Sequence, residues 1–420
     1  MPQLFLAPGA AAANAPAGRE ALLQRYEAVR SHSRALAAPL SAEDQCIQSM
    51  PDASPAKWHL AHTSWFFEAV VLRVHLEGYR AFDQRFFYLF NSYYEALGPR
   101  HPRPLRGLLT RPGADEVAAY RAHVDAAMQV FIGQAHGAAW EAARPLIELG
   151  LNHEQQHQEL LLTDILHAFS CNPLLPAYAP QDAPPLRLAG APAALRWQEF
   201  AGGIELIGHG DATSFAFDNE TPRHEVLLRP YRLAQRLANC GEFLAFIEDG
   251  GYRRPEFWLS DGWAMVQAQQ WRAPAYWLAP DDARAPGEGW RVFGLHGVRA
   301  LDTTAPVMQL SFYEAAAFAE WSGARLPTEF EWEAAYGVAG MAQMTGHAWQ
   351  WTRSSYDPYP GFRPLAGAVA EYNGKFMVGQ IVLRGSSVAT PVGHARASYR
   401  NFFPPAARWQ FSGVRLARDL

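Results

Sequence analysis

Residues 152–160, NHEQQHQEL, decide how this 420-residue chain is read. His153 and His157 are four apart in a stretch of strong helix formers, so both imidazoles stand on one helical face and can reach one metal ion. Outward from this core, Leu149, His153, His157, Leu160, Leu161 and Asp164 run along one side of the same helix. A third ligand must come from another helix, and residues 57–67, KWHLAHTSWFF, offer His62. At helical period Trp58, His62, Trp65, Phe66 and Ala69 fall on one stripe, so His62 points into an apolar core. An unpartnered imidazole there would cost about 1–3 kcal/mol. Each histidine has a plainer alternative, a core residue bonded to a carbonyl or carboxylate or, for the pair, a solvated helix face. A metal accounts for all three at once. Three neutral imidazoles without thiolate or carboxylate leave coordination positions open, which is a catalytic arrangement, and the ligand type does not choose between zinc and iron.

The flanking sequence predicts a helical first half. Residues 19–38, 54–77, 114–132 and 136–169 carry apolar patterns of period 3.6 and bundle length. Between the second and third lies an aromatic and then Pro/Arg-rich connection, residues 83–113, of the kind that is usually functional when ordered. The Pro-rich stretch NPLLPAYAPQDAPP, residues 172–185, breaks the helical pattern. We therefore expect a flexible N-terminus over 1–18, a helical bundle over 19–171, a Pro-rich linker over 172–190 and a second domain over 191–420. That second domain reads as loop-rich α+β, with short strands, abundant Gly, Pro and Trp, and two clear helices near 240–249 and 311–322. No repeat of 20 to 50 residues is present, which argues against a solenoid or propeller.

Composition removes several function classes. With 49% hydrophobic residues the chain can bury a full core. A net charge of −5 with dispersed arginines leaves no basic stripe for nucleic acid. No run of about 18 apolar residues occurs and no basic segment precedes the small-residue N-terminus, so a cytoplasmic protein without a membrane span is expected. Three widely spaced cysteines, Cys46, Cys171 and Cys240, read as reduced thiols.

Several longer strings carry a family resemblance: QSMPDASPAKWHLAHTSWFFE, NSYYEALGPRHPRPLRGLL and NHEQQHQE in the first half, then FDNETPRHEV, GARLPTEFEWEAA, EYNGKFM and YRNFFPPAARWQFSGVRLARD. In this order they resemble the ergothioneine-type sulfoxide synthases, or hercynine oxygenases, and the related selenoneine synthases. The resemblance implies a multidomain α and α+β fold: a DinB-like four-helix bundle followed by a C-type-lectin/formylglycine-generating-enzyme-like α+β domain. It also implies Fe(II) held by His62, His153 and His157, with O2 as co-substrate. The substrate would be hercynine, the trimethylated histidine, and the second substrate a thiol or selenosugar donor. Gln156 and Asn401 match hercynine hydrogen-bond positions, while Phe402 with Tyr93 and Tyr94 would face a trimethylammonium that cannot donate a hydrogen bond. Tyr93 and Tyr94 also match an active-site tyrosine pair, able to supply a proton or hydrogen atom during oxygen activation. Adjacent tyrosines pointing opposite ways would leave one of them to packing.

Arg103 and Arg106 suit a substrate carboxylate, since a guanidinium fork binds one bidentately, although a surface ion pair is an equal reading. The acid and arginine with which some family members grip gamma-glutamylcysteine are absent, because Asn401 is followed by FFPPAARW, and this favours free cysteine. Two further departures, Gln350 in Trp349-Gln350-Trp351-Thr352 and Val388 in RGSSVAT, keep the selenosugar donor in view. Val388, standing where a cysteine is frequent, also counts against a copper-dependent formylglycine-generating oxidase. Two other readings compete: a zinc DinB-type thiol transferase using the same histidines to lower a thiol pKa, and a lectin-like binding module on a structural bundle.

Overall fold

The computed structural model describes residues 18–179, 194–365 and 367–420. Residues 1–17, most of the expected flexible N-terminus, and 180–190 of the expected Pro-rich linker lie outside the described residues. Four helices build the first half: α1 Arg19–Ala37, α2 Ala56–Phe66, α3 Ala114–Gln134 and α4 Gly137–Ser170. All fall where the apolar periodicity puts them. Yet α2 is not amphipathic, because every one of its 11 residues is buried. It is the central helix of the bundle rather than a face of it.

Beyond Phe66 the chain of α2 continues through a wide π-type turn, Phe67–Leu72, before the short helix Arg73–His75. Such turns displace the side chains that follow and recur at functional sites. Here α4 closes on this turn through Gly150, where an added Cβ would lie 2.6 Å from the Phe67 ring and 2.9 Å from that of Phe66. A glycine one turn before His153 thus sets how near the two histidine-bearing helices come. A buried ion network fixes their rotation. Glu154 accepts from Arg30 at 2.9 Å, Arg121 at 2.8 Å and Ser33 at 2.6 Å, tying α1, α3 and α4 together, while Arg30 also donates to Ser64 of α2. Burial alone would raise the Glu154 carboxyl, but the two guanidiniums outweigh it and hold it near about 2.

The second half is α+β. Its main sheet runs Asn401–Phe403, Ile381–Gly385, Trp349–Ser355, Ser412–Gly413, antiparallel except for the last pair. A three-stranded sheet pairs Trp197–Phe200 and Ala417–Asp419 on either side of Tyr231–Ala234. The expected helices form at Cys240–Glu248 and Phe312–Trp321, each opened by a capping box, Asn239 with Glu242 and Ser311 with Glu314. Two more correct the sequence reading. Ser260–Gln269 carries a glycine in its first turn, Gly262, on whose backbone Tyr313 packs, and six-residue Glu329–Ala334 is too short for a periodic signal. The C-terminal half of α4 packs Leu161, Leu162, Ile165 and Phe169 into one apolar cluster with Tyr276, Phe293 and Phe411 of the second domain. The same helix therefore bears the histidines and the domain seam.

Candidate active site

His62, His153 and His157 each offer a ring nitrogen, and these three atoms lie within 4.8 Å of one another. The His62 and His153 Nε2 atoms are 3.2 Å apart. Two of the rings, His62 and His157, are held through their second nitrogens. His62 Nδ1 donates to the Phe90 carbonyl at 2.6 Å, which leaves Nε2 as the lone pair. Its faces are stacked against Trp58 at 4.7 Å and Trp65 at 5.5 Å. These indoles are anchored in turn, Trp58 to the Leu89 carbonyl and Trp65 to that of Phe87. The connection 83–113 therefore orients His62 through its backbone.

His157 Nδ1 lies 2.8 Å from His59 Nδ1, and His59 Nε2 lies 3.0 Å from an Asp164 carboxylate oxygen that also accepts from the Ser54 amide. With the Asp164 oxygen accepting from His59 Nε2, His59 Nδ1 accepts from His157 Nδ1, which leaves the His157 Nε2 lone pair for the cluster. A carboxylate–imidazole–imidazole chain of this kind fixes tautomer and orientation, as partners behind metal-bound histidines do. His153 Nδ1 is buried without a hydrogen-bond partner. Burial first, then repulsion from His153, keeps His62 well below the usual histidine range; burial also takes His153 down to about 3. His157 is lowered likewise, by burial and then by His153 and His62. All three are neutral near pH 7, the state in which imidazole ligates a metal.

Gln156 is the point where the domains meet over this cluster. Its amide oxygen accepts from the Tyr372 hydroxyl at 2.5 Å and its amide nitrogen donates to the Tyr399 hydroxyl at 2.7 Å. Tyr372 presents its edge to His153 at 5.7 Å. One turn away Glu159 accepts from Trp349 Nε1 at 2.8 Å, Ser387 at 2.5 Å and Thr390 at 2.6 Å.

Tyr93 and Tyr94 do not point apart. Their rings stack at 4.7 Å and 26°. Tyr94 is fully buried beside Trp65 and Phe66, and Phe66 in turn contacts His153 at 4.8 Å; no hydrogen bond of acceptable geometry reaches the Tyr94 hydroxyl. Tyr93 is half-buried at the seam, edge-on to Phe376, with Lys375 over its ring and donating to its carbonyl.

The arginines divide. Arg106 is buried, lies 3.4 Å over the Trp58 ring and donates to the Ser54 and Ser92 hydroxyls, with Nε unpartnered. Arg103 is exposed and donates to the Asp52 carbonyl, which makes it a surface contact. Phe402 stacks on Tyr356 at 4.0 Å and faces Phe376 at 5.8 Å, two rings from Tyr93. The Asn401 carboxamide oxygen accepts from the Phe402 amide at 2.9 Å, and its hydrogen bonding does not reach the histidines.

His59, Tyr372, Tyr399 and Glu159 are the participants that sequence reasoning missed. His59 had a signal, since it is three residues before His62, and Asp164 was already on the stripe. The tyrosines and the Glu159 partners carry none, because they arrive from 190 or more positions away. Gln350 is likewise explained by the structure. It is fully buried, accepts from Trp332 and Arg415 at 2.7 Å each and donates to the Met344 carbonyl, so it belongs to the core. Val388 sits at the seam between Ser387 and Thr390.

Comparison with known sequences agrees with this two-part construction. Residues 25–161 match the DinB superfamily, and residues 200–340 and 338–420 match the sulfatase-modifying factor enzyme 1-like domain. The fold thus joins a DinB-like bundle to a sulfatase-modifying-factor-like α+β domain. Among relatives, the hercynine oxygenase of Mycolicibacterium smegmatis is 32% identical over 326 residues, covering 65% of this chain and 71% of its own. That of Mycobacterium tuberculosis is 30% identical, covering 64% and 70%. The formylglycine-generating enzyme of Streptomyces coelicolor, 31% identical, matches 41% of this chain and 55% of its own. The chain belongs to the hercynine oxygenase family, and it is an oxygenase. Among the described residues no helix is long and apolar enough to cross a membrane.

Proposed function

We propose that this oxygenase uses nonheme Fe(II) and O2 to form a carbon–sulfur bond at the imidazole C2 of hercynine, with cysteine as donor. The observation that carries the reading is the histidine cluster itself: three neutral imidazoles with converging ring nitrogens, two of them fixed through their second nitrogens, and no carboxylate or thiolate among them. This donor set fits a divalent iron with positions left for substrates. Iron, when bound by His62, His153 and His157, would supply the oxidising power that no side chain has.

The other residues take defined parts. Gln156, clamped by Tyr372 and Tyr399, presents its amide to the hercynine imidazole and fixes the ring's orientation. Tyr94, whose buried hydroxyl has the Tyr93 phenol as its polar neighbour, delivers the proton or hydrogen atom that steers the reaction from thiol oxidation to bond formation. Burial, with Tyr93 next, raises this phenol well above its ordinary value, so it stays protonated across the working pH range. Arg106, whose charge is met only by hydroxyls and an indole face, receives a substrate carboxylate. Asn401 and Phe402 line the second-domain side. A selenosugar is the second reading of the donor, since Val388 stands where a cysteine is frequent in the family.

The test is anaerobic reconstitution with Fe(II), then air, hercynine and, separately, cysteine, gamma-glutamylcysteine or a selenosugar, with products read by mass spectrometry. A sulfoxide-linked adduct with cysteine is expected. An adduct only with the selenosugar would establish the second reading, and neither adduct nor oxygen uptake with any donor would return the site to a zinc transferase.

A further inference from the structure

A buried carboxylate stands on the second-domain side of the site without a cation. Asp218 is 5% exposed, and its oxygens accept from the Asn373 side chain at 2.6 Å and, weakly, from the Leu365 amide at 3.4 Å. Its neighbours place it among aromatic rings. Phe217, the residue before, stacks on Tyr372 at 5.4 Å and 15°; Asn219, the residue after, donates to the Tyr356 hydroxyl at 2.8 Å; Asn373 follows Tyr372 directly. Tyr356 in turn belongs to the row Tyr356, Phe402, Phe376, Tyr93. Arg400, whose guanidinium bonds the Asn219 carbonyl, is paired bidentately with Glu329, and Arg223, five residues on, is exposed. Burial raises the Asp218 carboxyl, and Asn373 and the backbone only partly offset it. Its charge is also one of the secondary influences, after burial, that raise Tyr93, Tyr356 and Tyr372.

A desolvated carboxylate is costly unless a cation meets it, and aromatic faces attract the same kind of cation. We infer that Asp218 is the counter-charge for an ammonium group of a substrate, held between this carboxylate and the aromatic rings around it, Tyr372 and the row Tyr356, Phe402, Phe376 and Tyr93. Two sources share that chemistry, the quaternary trimethylammonium of hercynine and the primary α-ammonium of an amino-acid donor. A quaternary ammonium asks for no hydrogen bond, which agrees with the oxygens already accepting from Asn373 and Leu365. This inference rests on the proposed function and deepens it.

The test is calorimetric titration of metal-loaded wild type and Asp218→Asn, nearly isosteric and able to keep one hydrogen bond, under anaerobic conditions. The titrants are hercynine, cysteine added to the hercynine-saturated protein, and imidazolepropionate, which has the ring and carboxylate without the ammonium. We expect Asp218→Asn to weaken one of the two cationic ligands about tenfold or more and to leave imidazolepropionate unchanged. Loss confined to hercynine assigns the trimethylammonium, and loss confined to cysteine assigns the donor ammonium. Equal weakening of imidazolepropionate marks Asp218 as merely structural and overturns the inference, as does unchanged binding of both cations. If wild type fails to bind hercynine at all, the proposed function has failed instead. Asp218→Glu, which restores the charge, should recover part of the lost affinity.

Discussion

The two sides of the site are built on different principles. On the bundle side each support of the histidines is local to the bundle: Phe90 for His62, and His59 with Asp164 for His157, while the Arg30–Glu154–Arg121 network sets helix rotation. On the seam side nothing is complete within one domain. Gln156 depends on Tyr372 and Tyr399, Glu159 on Trp349, Ser387 and Thr390, and the Tyr93 backbone on Lys375. The histidine cluster is thus held by bundle residues alone, whereas the proposed substrate end takes its residues from both domains. Changes on one side should leave the other side's function intact.

His157→Ala tests that separation most severely. It should abolish metal binding and turnover while far-ultraviolet circular dichroism stays helical, and retained turnover would remove the metal assignment. Asp164→Asn disturbs the chain behind His157 and the Ser54 amide bond; it should weaken metal affinity about 10–100-fold, read by competition with a chelator, while hercynine affinity of the fully loaded protein is kept. Tyr399→Phe acts from the other side. Losing its hydroxyl should raise the KM for hercynine about tenfold with metal content unchanged, and a fall in metal content would mean that the two sides are coupled. Glu159→Ala leaves three donors without an acceptor, and should lower the stability of domain docking by about 1–3 kcal/mol, seen as an earlier thermal transition.

A smaller effect follows from pH. The three cluster histidines are lowered in the folded state, so their contribution to stability is present above the unfolded histidine value, about 6.5, and is lost as pH falls below it. Thermal melts of metal-free protein should therefore drop between about pH 6.5 and pH 4. Removing one imidazole, as in His153→Phe, should flatten that slope.

What the sequence made legible follows the same division. Bundle helices and histidine pair are read from period 3.6 because their partners are a turn away or on another periodic helix. His59 was open to the same reasoning, since its partner Asp164 lies on the stripe of His157. The seam was not legible from patterns: Tyr372 and Tyr399 sit in irregular loops, and their contact with Gln156 is set by how two domains dock. Ser260–Gln269 escaped because tertiary packing on Gly262, not periodicity, stabilises it. The stacking of Tyr93 on Tyr94 went against the alternation expected of extended neighbours because a 3-10 turn, Glu95–Leu97, begins directly after them.

Lysine scarcity has a practical consequence. Of the two lysines in 420 residues, Lys57 is buried in α2 with its amine on the Pro112 carbonyl, and Lys375 is exposed at the seam against Tyr93 and Glu371. Amine-directed fluorophores or resins that react with a lysine side chain will therefore attach beside the aromatic row. A label there would sit at the seam, beside the residues proposed to meet the substrates, so coupling chemistry that is harmless to most enzymes should here lower turnover.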